Sequence, residues 1–298
     1  MDKNRLAFII PAFRAQYLHR LLGSLVIQKD RHFKVYVFDD ASPEDIESVV
    51  REFEDRLDLS YHRFPDNLGV KGHPTHLARS LALCGEEPLV WILADDDEVT
   101  RDAVGQIRRA ARRLEGCDVF HLETDWINDT SEVTGKARRS GWPFPLTPAR
   151  LFRRIFEAGM PAPLSSFVFR RQALDRAMFQ IRDVNRAPLT LAFAATGAEG
   201  RIGRVRRARL WRRPPVDETP LEKAAQMLSF FAWSEYFFGE HYPLTPRRRV
   251  ELFASCAATM YPAMTEEEIR KEFLQMRVFD REMSKGRGKR ILHRHLSK

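Results

Sequence analysis

The chain has 298 residues, enough for one large core or one domain with an appendage, and its 44% hydrophobic and 30% charged residues are globular values. No apolar run approaches the roughly 20 residues of a membrane span, Met1-Asp2-Lys3-Asn4-Arg5 carries no signal-peptide pattern, and the three scattered cysteines (Cys84, Cys117, Cys256) form no metal spacing and cannot all pair; a reducing cytoplasm is expected. The net charge of +8 favours an anionic partner: nucleic acid, acidic lipid headgroups or a phosphorylated substrate.

Residues 5 to about 122 alternate apolar runs with amphipathic stretches. Leu6-Ala7-Phe8-Ile9-Ile10 is apolar at every position, which predicts a strand covered on both faces. Leu18, Leu21, Leu22 and Leu25 follow at helical spacing. Phe33 to Phe38 is a second strand ending at Asp39-Asp40, and Ser42-Pro43-Glu44-Asp45 reads as a helix start. A short strand over Leu59 to Phe64 leads into the polar loop Asp66-Asn67-Leu68-Gly69-Val70-Lys71-Gly72-His73, then a helix from about Pro74 to Cys84. Pro88 to Ala94 is a buried strand, Thr100 is positioned to cap another helix, and Cys117 to Leu122 is a further strand. This alternation predicts an α/β fold with a mainly parallel sheet and helices on both faces. The absence of GxGxxG after the first strand and of GxxxxGK[ST] anywhere argues against dinucleotide and P-loop binding.

Beyond residue 123 the pattern loosens. A turn-rich Gly141-Trp142-Pro143-Phe144-Pro145 precedes a helix near Pro148 to Ala158. Ser165 to Phe169 reads as a strand, Gln172 to Met178 and Ala187 to Ala195 as helices, and Arg212-Arg213-Pro214-Pro215 breaks the chain. Helices are expected over roughly 219–239, 245–261 and 265–283. The expected organisation is a catalytic domain over 1–215, a helical C-terminal region over 216–284 and a basic tail over 285–298. That tail carries six Lys/Arg and no carboxylate, so it is either a solubilising extension or a contact for the anionic inner face of a membrane.

The sharpest local feature is Asp95-Asp96-Asp97, directly after an apolar strand. The C-terminal edge of parallel strands is where open α/β sheets bind ligands. Three adjacent carboxylates repel one another unless a cation or donors relieve them, and a hard oxygen cluster suits Mg2+ or Mn2+ bridged to phosphate. A solvated acidic turn is the alternative.

Four segments taken together resemble the family 2 glycosyltransferases of GT-A fold: Ile9-Ile10-Pro11-Ala12-Phe13, Val37-Phe38-Asp39-Asp40-Ala41-Ser42, Asn67-Leu68-Gly69, and Leu93-Ala94-Asp95-Asp96-Asp97-Glu98. Leu151 to Ile155 and Ser165 to Arg171 extend the likeness toward bacterial members that build surface polysaccharide. The resemblance implies a nucleotide-sugar donor, UDP-linked first of all, a saccharide or lipid-linked acceptor, Mn2+ or Mg2+ as cofactor, and inversion at the anomeric carbon. It implies Pro11 and Phe13 at the base, Asp40 on the uracil imide or a ribose hydroxyl, and Asn67, Gly69, Lys71 and Arg79 along the phosphates. Asp97 is assigned the metal and Asp95 the ribose, or the metal through water. Asp96 lies beside the donor, or else turns into the sheet or caps the next helix.

Many relatives carry an acidic pair whose aspartate is the base; here those positions read Asn185-Arg186, an amide and a permanent cation that cannot take a proton. Asp183 is the nearest substitute, with His121, Glu123 and Asp125 as alternatives. A sugar nucleotidyltransferase and a catalytically silent nucleotide binder are the rival readings. Nucleic-acid binding rests only on Arg201, Arg204, Arg206, Arg207, Arg212 and Arg213, with no accompanying motif.

Overall fold

The computed structural model describes residues 4–69, 73–136, 144–148, 150–151, 163–180, 195–197 and 200–213. The expected C-terminal helices, the basic tail, Lys71, Asp183 and Asn185-Arg186 lie outside them. The chain divides into two compact units, 1–146 with 162–214, and 147–161 with 215–298; the described strands and helices belong to the first.

The first half of this unit is the parallel arrangement that the apolar runs dictate. Strands β1 (Leu6–Ala12), β2 (Phe33–Asp39), β3 (Leu59–Arg63) and β4 (Leu89–Ile92) lie in the order β3-β2-β1-β4, all parallel. Helix α1 (Ala15–Val26) buries Leu18, Leu21, Leu22 and Leu25, the face their spacing marks. Helices α2 (Ile46–Arg51) and α3 (His73–Leu83) provide the next two crossovers. Phe8 and Trp91 pack in the centre with ring centroids 5.4 Å apart, and Phe8 meets Phe33 edge-on at 5.3 Å. The Trp91 indole N–H, which must be paired when buried, donates to the Ser165 carbonyl at 2.6 Å.

Beyond β4 the sheet becomes mixed. Strands β5 (Asp97–Val99), β6 (Val119–Ile127), β7 (Val133–Gly135), β8 (Phe167–Arg170) and β9 (Ile202–Arg212) continue it as β4-β8-β6-β9-β5, with β7 on β6. The β4–β8, β8–β6, β6–β7 and β9–β5 pairs are antiparallel, and β6–β9 is parallel. Helices α4 (Ala103–Arg113) and α5 (Arg171–Gln180) complete the described elements.

Three sequence expectations change. Ser42 does not cap α2: Asp45 does, accepting from the Ser48 N–H at 3.0 Å, while the Ser42 hydroxyl donates to the Phe13 carbonyl at 2.6 Å. Thr100 does not cap α4, which starts after Asp102; its hydroxyl oxygen accepts the Arg209 N–H at 3.0 Å. Strand β9 was not anticipated, because Arg201 to Arg213 reads as a basic stretch. Yet Ile202, Val205, Ala208 and Leu210 are buried, and charges elsewhere on the strand meet carboxylates of β6 and β5. Of the arginines named for nucleic-acid binding, Arg204 and Arg213 are so engaged, while Arg201, Arg206 and Arg207 are exposed.

Register positions the site. Ala12 pairs with Asp39 and Ile9 with Ile92, so Phe13, Asp40 and residues 93–96 leave the sheet at the same edge. The backbone follows suit: the Leu93 N–H donates to the Ile9 carbonyl, the Asp40 N–H to that of Ala12, and the Phe64 N–H to that of Asp39.

Candidate active site

At this edge Phe13 is 41% exposed, one of few large apolar side chains so placed among the described residues. Its backbone is nevertheless strapped down. Its N–H donates to Asp95 Oδ2 at 2.8 Å, and its carbonyl accepts the Ser42 hydroxyl. An aromatic ring held open on a fixed backbone is suited to lie against a flat ligand. Pro11, paired with Phe38, is half-buried.

The two aspartates at the end of β2 divide the work. Asp39 is fully buried and accepts from the Ser42 N–H (2.7 Å), the Tyr61 hydroxyl (2.7 Å) and Arg63 Nη1 (2.6 Å). With the burial of Tyr61, that contact pushes the phenol up to about 12. Asp40 faces the next loop, accepting from Leu68 N–H and Gly69 N–H, each at 3.0 Å. It thereby holds the Asn67-Leu68-Gly69 turn, where Gly69 sits at φ +57°, the left-handed region that glycine occupies at no steric cost. Asn67 is exposed. The buried imidazole of His76 on α3 has Nε2 3.9 Å from Asp40. Arg79, three residues on, lies on the exposed side of α3, with no ion pair to this cluster among the described residues.

The three aspartates of the acidic turn diverge. Asp95 is buried and closes back on β1: Oδ2 accepts from the Phe13 and Arg14 N–H groups, Oδ1 from Arg14 Nη2 at 2.9 Å. Burial raises its pKa, and the Arg14 charge pulls it back. Asp96 is less enclosed, its side chain 15% exposed and its Oδ2 2.8 Å from the same Arg14 Nη2. Asp97 opens β5 opposite Arg212 and is 0% exposed. Burial pushes its carboxyl up to about 7, against the pull of Arg212.

Two arginines brace this turn. For Arg14, burial works against the charge, but Asp95 and Asp96 outweigh it and hold the guanidinium above the ordinary arginine range. Arg213, 2% exposed, donates to the Asp96 carbonyl at 2.7 Å, to Glu98 Oε1 at 2.6 Å and to the Ser131 hydroxyl at 3.0 Å. Both guanidinium groups lie over the Tyr17 ring, at 5.1 and 4.9 Å, and the Tyr17 hydroxyl donates to Asp129 at 3.0 Å. Sequence reasoning missed Arg14, Tyr17, Glu98 and Arg213. Glu98 enters there only as the end of the acidic segment, and Arg213 only as part of a chain break and a basic stretch.

Oxygen ligands of this kind suit Mg2+ or Mn2+, which commonly use one or two carboxylates and complete their shell with water and substrate phosphates. Among the described residues no group of three His, Cys, Asp or Glu side chains could hold an ion. Asp97 is buried, its Oδ1 without a hydrogen-bond partner among the described residues, and Asp95 is occupied with the end of β1. Asp96 is the most exposed carboxylate of the triplet.

Strand β6 supplies no free base. Glu123 is paired with both Arg204 and Arg209, and Asp125 lies 3.6 Å from Arg209. His121 is buried between Phe167 and Phe144. Burial, aided by Arg204, pushes its pKa down to about 3. The folded state therefore keeps His121 neutral while the unfolded chain protonates it below about 6.5. Its contribution is complete above that pH and is lost as pH falls toward 3, by about 2 kcal/mol at pH 5. His121→Phe should accordingly show a smaller drop in urea midpoint between pH 7 and pH 5 than the unsubstituted protein. An equal drop would refute the assignment.

Solved structures share the fold. The chain superposes on S. aureus TarS 1–349 with a TM-score of 0.64 at 16% identity, covering 98% of this chain and 89% of that one. TarS 1–349 in complex with UDP-GlcNAc gives equal values. The mannosyltransferase PcManGT from Pyrobaculum calidifontis, in complex with GDP-Man and Mn2+, gives 0.57 at 14% identity, covering 97% and 85%. In sequence, a hyaluronan synthase of Pasteurella multocida is 38% identical over 80 residues, 26% of this chain but only 8% of that much longer protein. The family model described as Glycosyl transferase family 2 matches residues 7–177, more than half the chain and the whole of this edge. The chain belongs to glycosyl transferase family 2.

Proposed function

We propose that this glycosyltransferase moves a sugar from a nucleoside diphosphate donor, UDP-linked first of all, to a saccharide or lipid-linked acceptor of surface polysaccharide, with inversion at the anomeric carbon. The observation that supports it most is the shared edge: exposed Phe13, the Asp40-held loop and Asp96 all lie where β1, β2 and β4 end. Solved relatives of this fold are described with UDP-GlcNAc and with GDP-Man and Mn2+.

In this reading Phe13 lies against the base. The second lone pairs of the Asp40 oxygens accept from the base or ribose while the first hold the loop. Asn67, Gly69, Lys71 and Arg79 flank the diphosphate. Asp96, the most exposed of the three aspartates, would hold a divalent ion, or Asp97 with Asp95 as the acidic signature implies; when bound the ion supplies positive charge for the departing diphosphate. The acceptor hydroxyl attacks the anomeric carbon, the bond to the phosphate oxygen breaks, and the nucleoside diphosphate leaves with the electron pair. A carboxylate takes the hydroxyl proton. With Glu123 captured and His121 sealed, Asp183 is the base we assign.

A thermal-shift panel of UDP, GDP, CDP and their sugar conjugates, with and without Mn2+, tests the proposal. UDP and a UDP-sugar should raise the melting temperature and Phe13→Ala should remove most of the rise. A panel without response would reject it, and release of pyrophosphate during turnover would favour a nucleotidyltransferase instead.

A further inference from the structure

Helix α4 buries Ala103, Val104, Ile107, Ala110 and Ala111 and turns Arg109, Arg112 and Arg113 out to solvent. Strand β9 runs alongside it in the opposite direction. At the start of the helix the Thr100 N–H donates to the Arg209 carbonyl at 3.2 Å, and at its end a Cβ on Gly203 would lie 2.9 Å from Leu114. Between these points β9 bulges: Arg204 stands opposite His121 but Arg209 opposite Glu123. In the bulge Val205 and Ala208 turn into the core, while Arg206 and Arg207 are exposed. Arg207 sits at φ +62°, a conformation that strains an arginine and would suit a glycine. Arg201, exposed just before the strand, acts by its charge on Cys117, past the helix end.

These cations are left over from the fold. Of the carboxylates nearby, Asp30 is engaged by Arg108, Asp102 by Lys29 and Asp118 by Arg176, which leaves Glu115. The outward arginines have no ion pair among the described residues. Arg112 and Arg113 also favour the negative end of the helix dipole, but Arg109, Arg206 and Arg207 have no such role. Like charge gathered on one face works against the compact state and becomes favourable when an anionic surface covers it. The face also carries an apolar contact. A Cβ on Gly105 would lie 3.6 Å from Asp30, so the turn after α1 crosses the outward side of α4, and that turn presents Ile27, 54% exposed. An aliphatic side chain beside cations suits the headgroup and acyl boundary of a bilayer. Single-stranded nucleic acid calls instead for exposed aromatic rings on which bases stack, and the exposed large apolar residue here is Ile27.

We propose that the α4–β9 face docks on an anionic phospholipid membrane, with Arg109, Arg112, Arg113, Arg206 and Arg207 over the headgroups and Ile27 at the acyl boundary. The apolar side of α4 is in the core, so the contact is peripheral and chiefly electrostatic. Residues 100–102 alone separate α4 from β5, whose first residue is Asp97, and docking would hold the acidic turn close to the bilayer. That this serves a lipid-linked acceptor rests on the function proposed above; the docking rests on charge and exposure alone, and its test uses neither nucleotide nor turnover.

The full-length protein is floated with phosphatidylcholine vesicles with and without phosphatidylglycerol. It should bind the anionic vesicles, less tightly as salt rises, and not the neutral ones. Each arginine near such a surface contributes about fivefold in affinity, so Arg109→Gln combined with Arg206→Gln should weaken binding about thirtyfold. Arg207→Gly should weaken it about fivefold without lowering the melting temperature, because glycine accepts that backbone; this arm decides even if the double variant does not fold. Ile27→Ser should weaken it as well, at unchanged slope against salt. Absence of binding to anionic vesicles would overturn the proposal. So would equal binding by the arginine variants, which would give the contact to the basic tail over 285–298. If those variants lose affinity for a fluorescent oligonucleotide and keep it for vesicles, the face is a nucleic-acid surface and the proposal falls.

Discussion

Asp96→Asn is expected to lower transfer or hydrolysis of the UDP-sugar by about 10²–10³-fold, the usual loss when one preorganised stabiliser of a developing charge is removed. The isosteric amide should leave the fold intact, because Asp96 contributes its carbonyl, not its carboxylate, to Arg213. Its side chain is 15% exposed, with Arg14 as its carboxylate partner. The control is the neighbouring residue. Asp97→Asn replaces a carboxyl already pushed up to about 7 inside the sheet, so its effect on turnover should be much smaller. Steady-state rates for the two variants, beside their melting temperatures, make the test. If activity is lost at Asp97 and kept at Asp96, the ligand assignment made from burial is reversed.

Asp39→Ala should cost about 2–4 kcal/mol of stability. Its carboxylate is fully buried with three donors on it. Removing it leaves the buried Ser42 N–H and the half-buried Tyr61 hydroxyl without their acceptor, and a buried donor so stranded costs about 1–3 kcal/mol. Arg63 adds little, since its guanidinium is half exposed and can return to water. The loss should appear as a lower urea midpoint at unchanged slope. Nucleotide affinity should fall as well, because Ser42, positioned by Asp39, holds the Phe13 carbonyl. A variant of native stability would show that this network is dispensable.

The parts of the molecule legible in the sequence are those where one interaction decides the outcome. Leu6 to Ile10 and Leu89 to Ile92 are strands because buried parallel strands need apolar residues on both faces, and the same physics sends Asp39-Asp40 and Asp95-Asp96-Asp97 to one edge. What each aspartate does there was not legible. Whether Asp96 or Asp97 faces the cleft depends on β5 pairing with β9, a contact between residues more than a hundred positions apart. The same contact hid β9: its alternating arginines look like a solvated surface until Glu98 and Glu123 are placed opposite them. Arg14 and Arg213 were hidden likewise, since nothing in local spacing says that two distant guanidinium groups share one tyrosine ring.

The position of β9 between β6 and β5 also has a bearing on biosynthesis. During translation, the segment carrying every recognisable motif emerges well before residues 202–213. Until those residues leave the ribosome, Glu98, Glu123 and the Asp96 carbonyl lack the arginines that later neutralise or hold them. The nascent chain can assemble its nucleotide edge early, but the acidic turn takes its final shape only when the last strand slots in, a late, long-range closure that should set the pace of maturation.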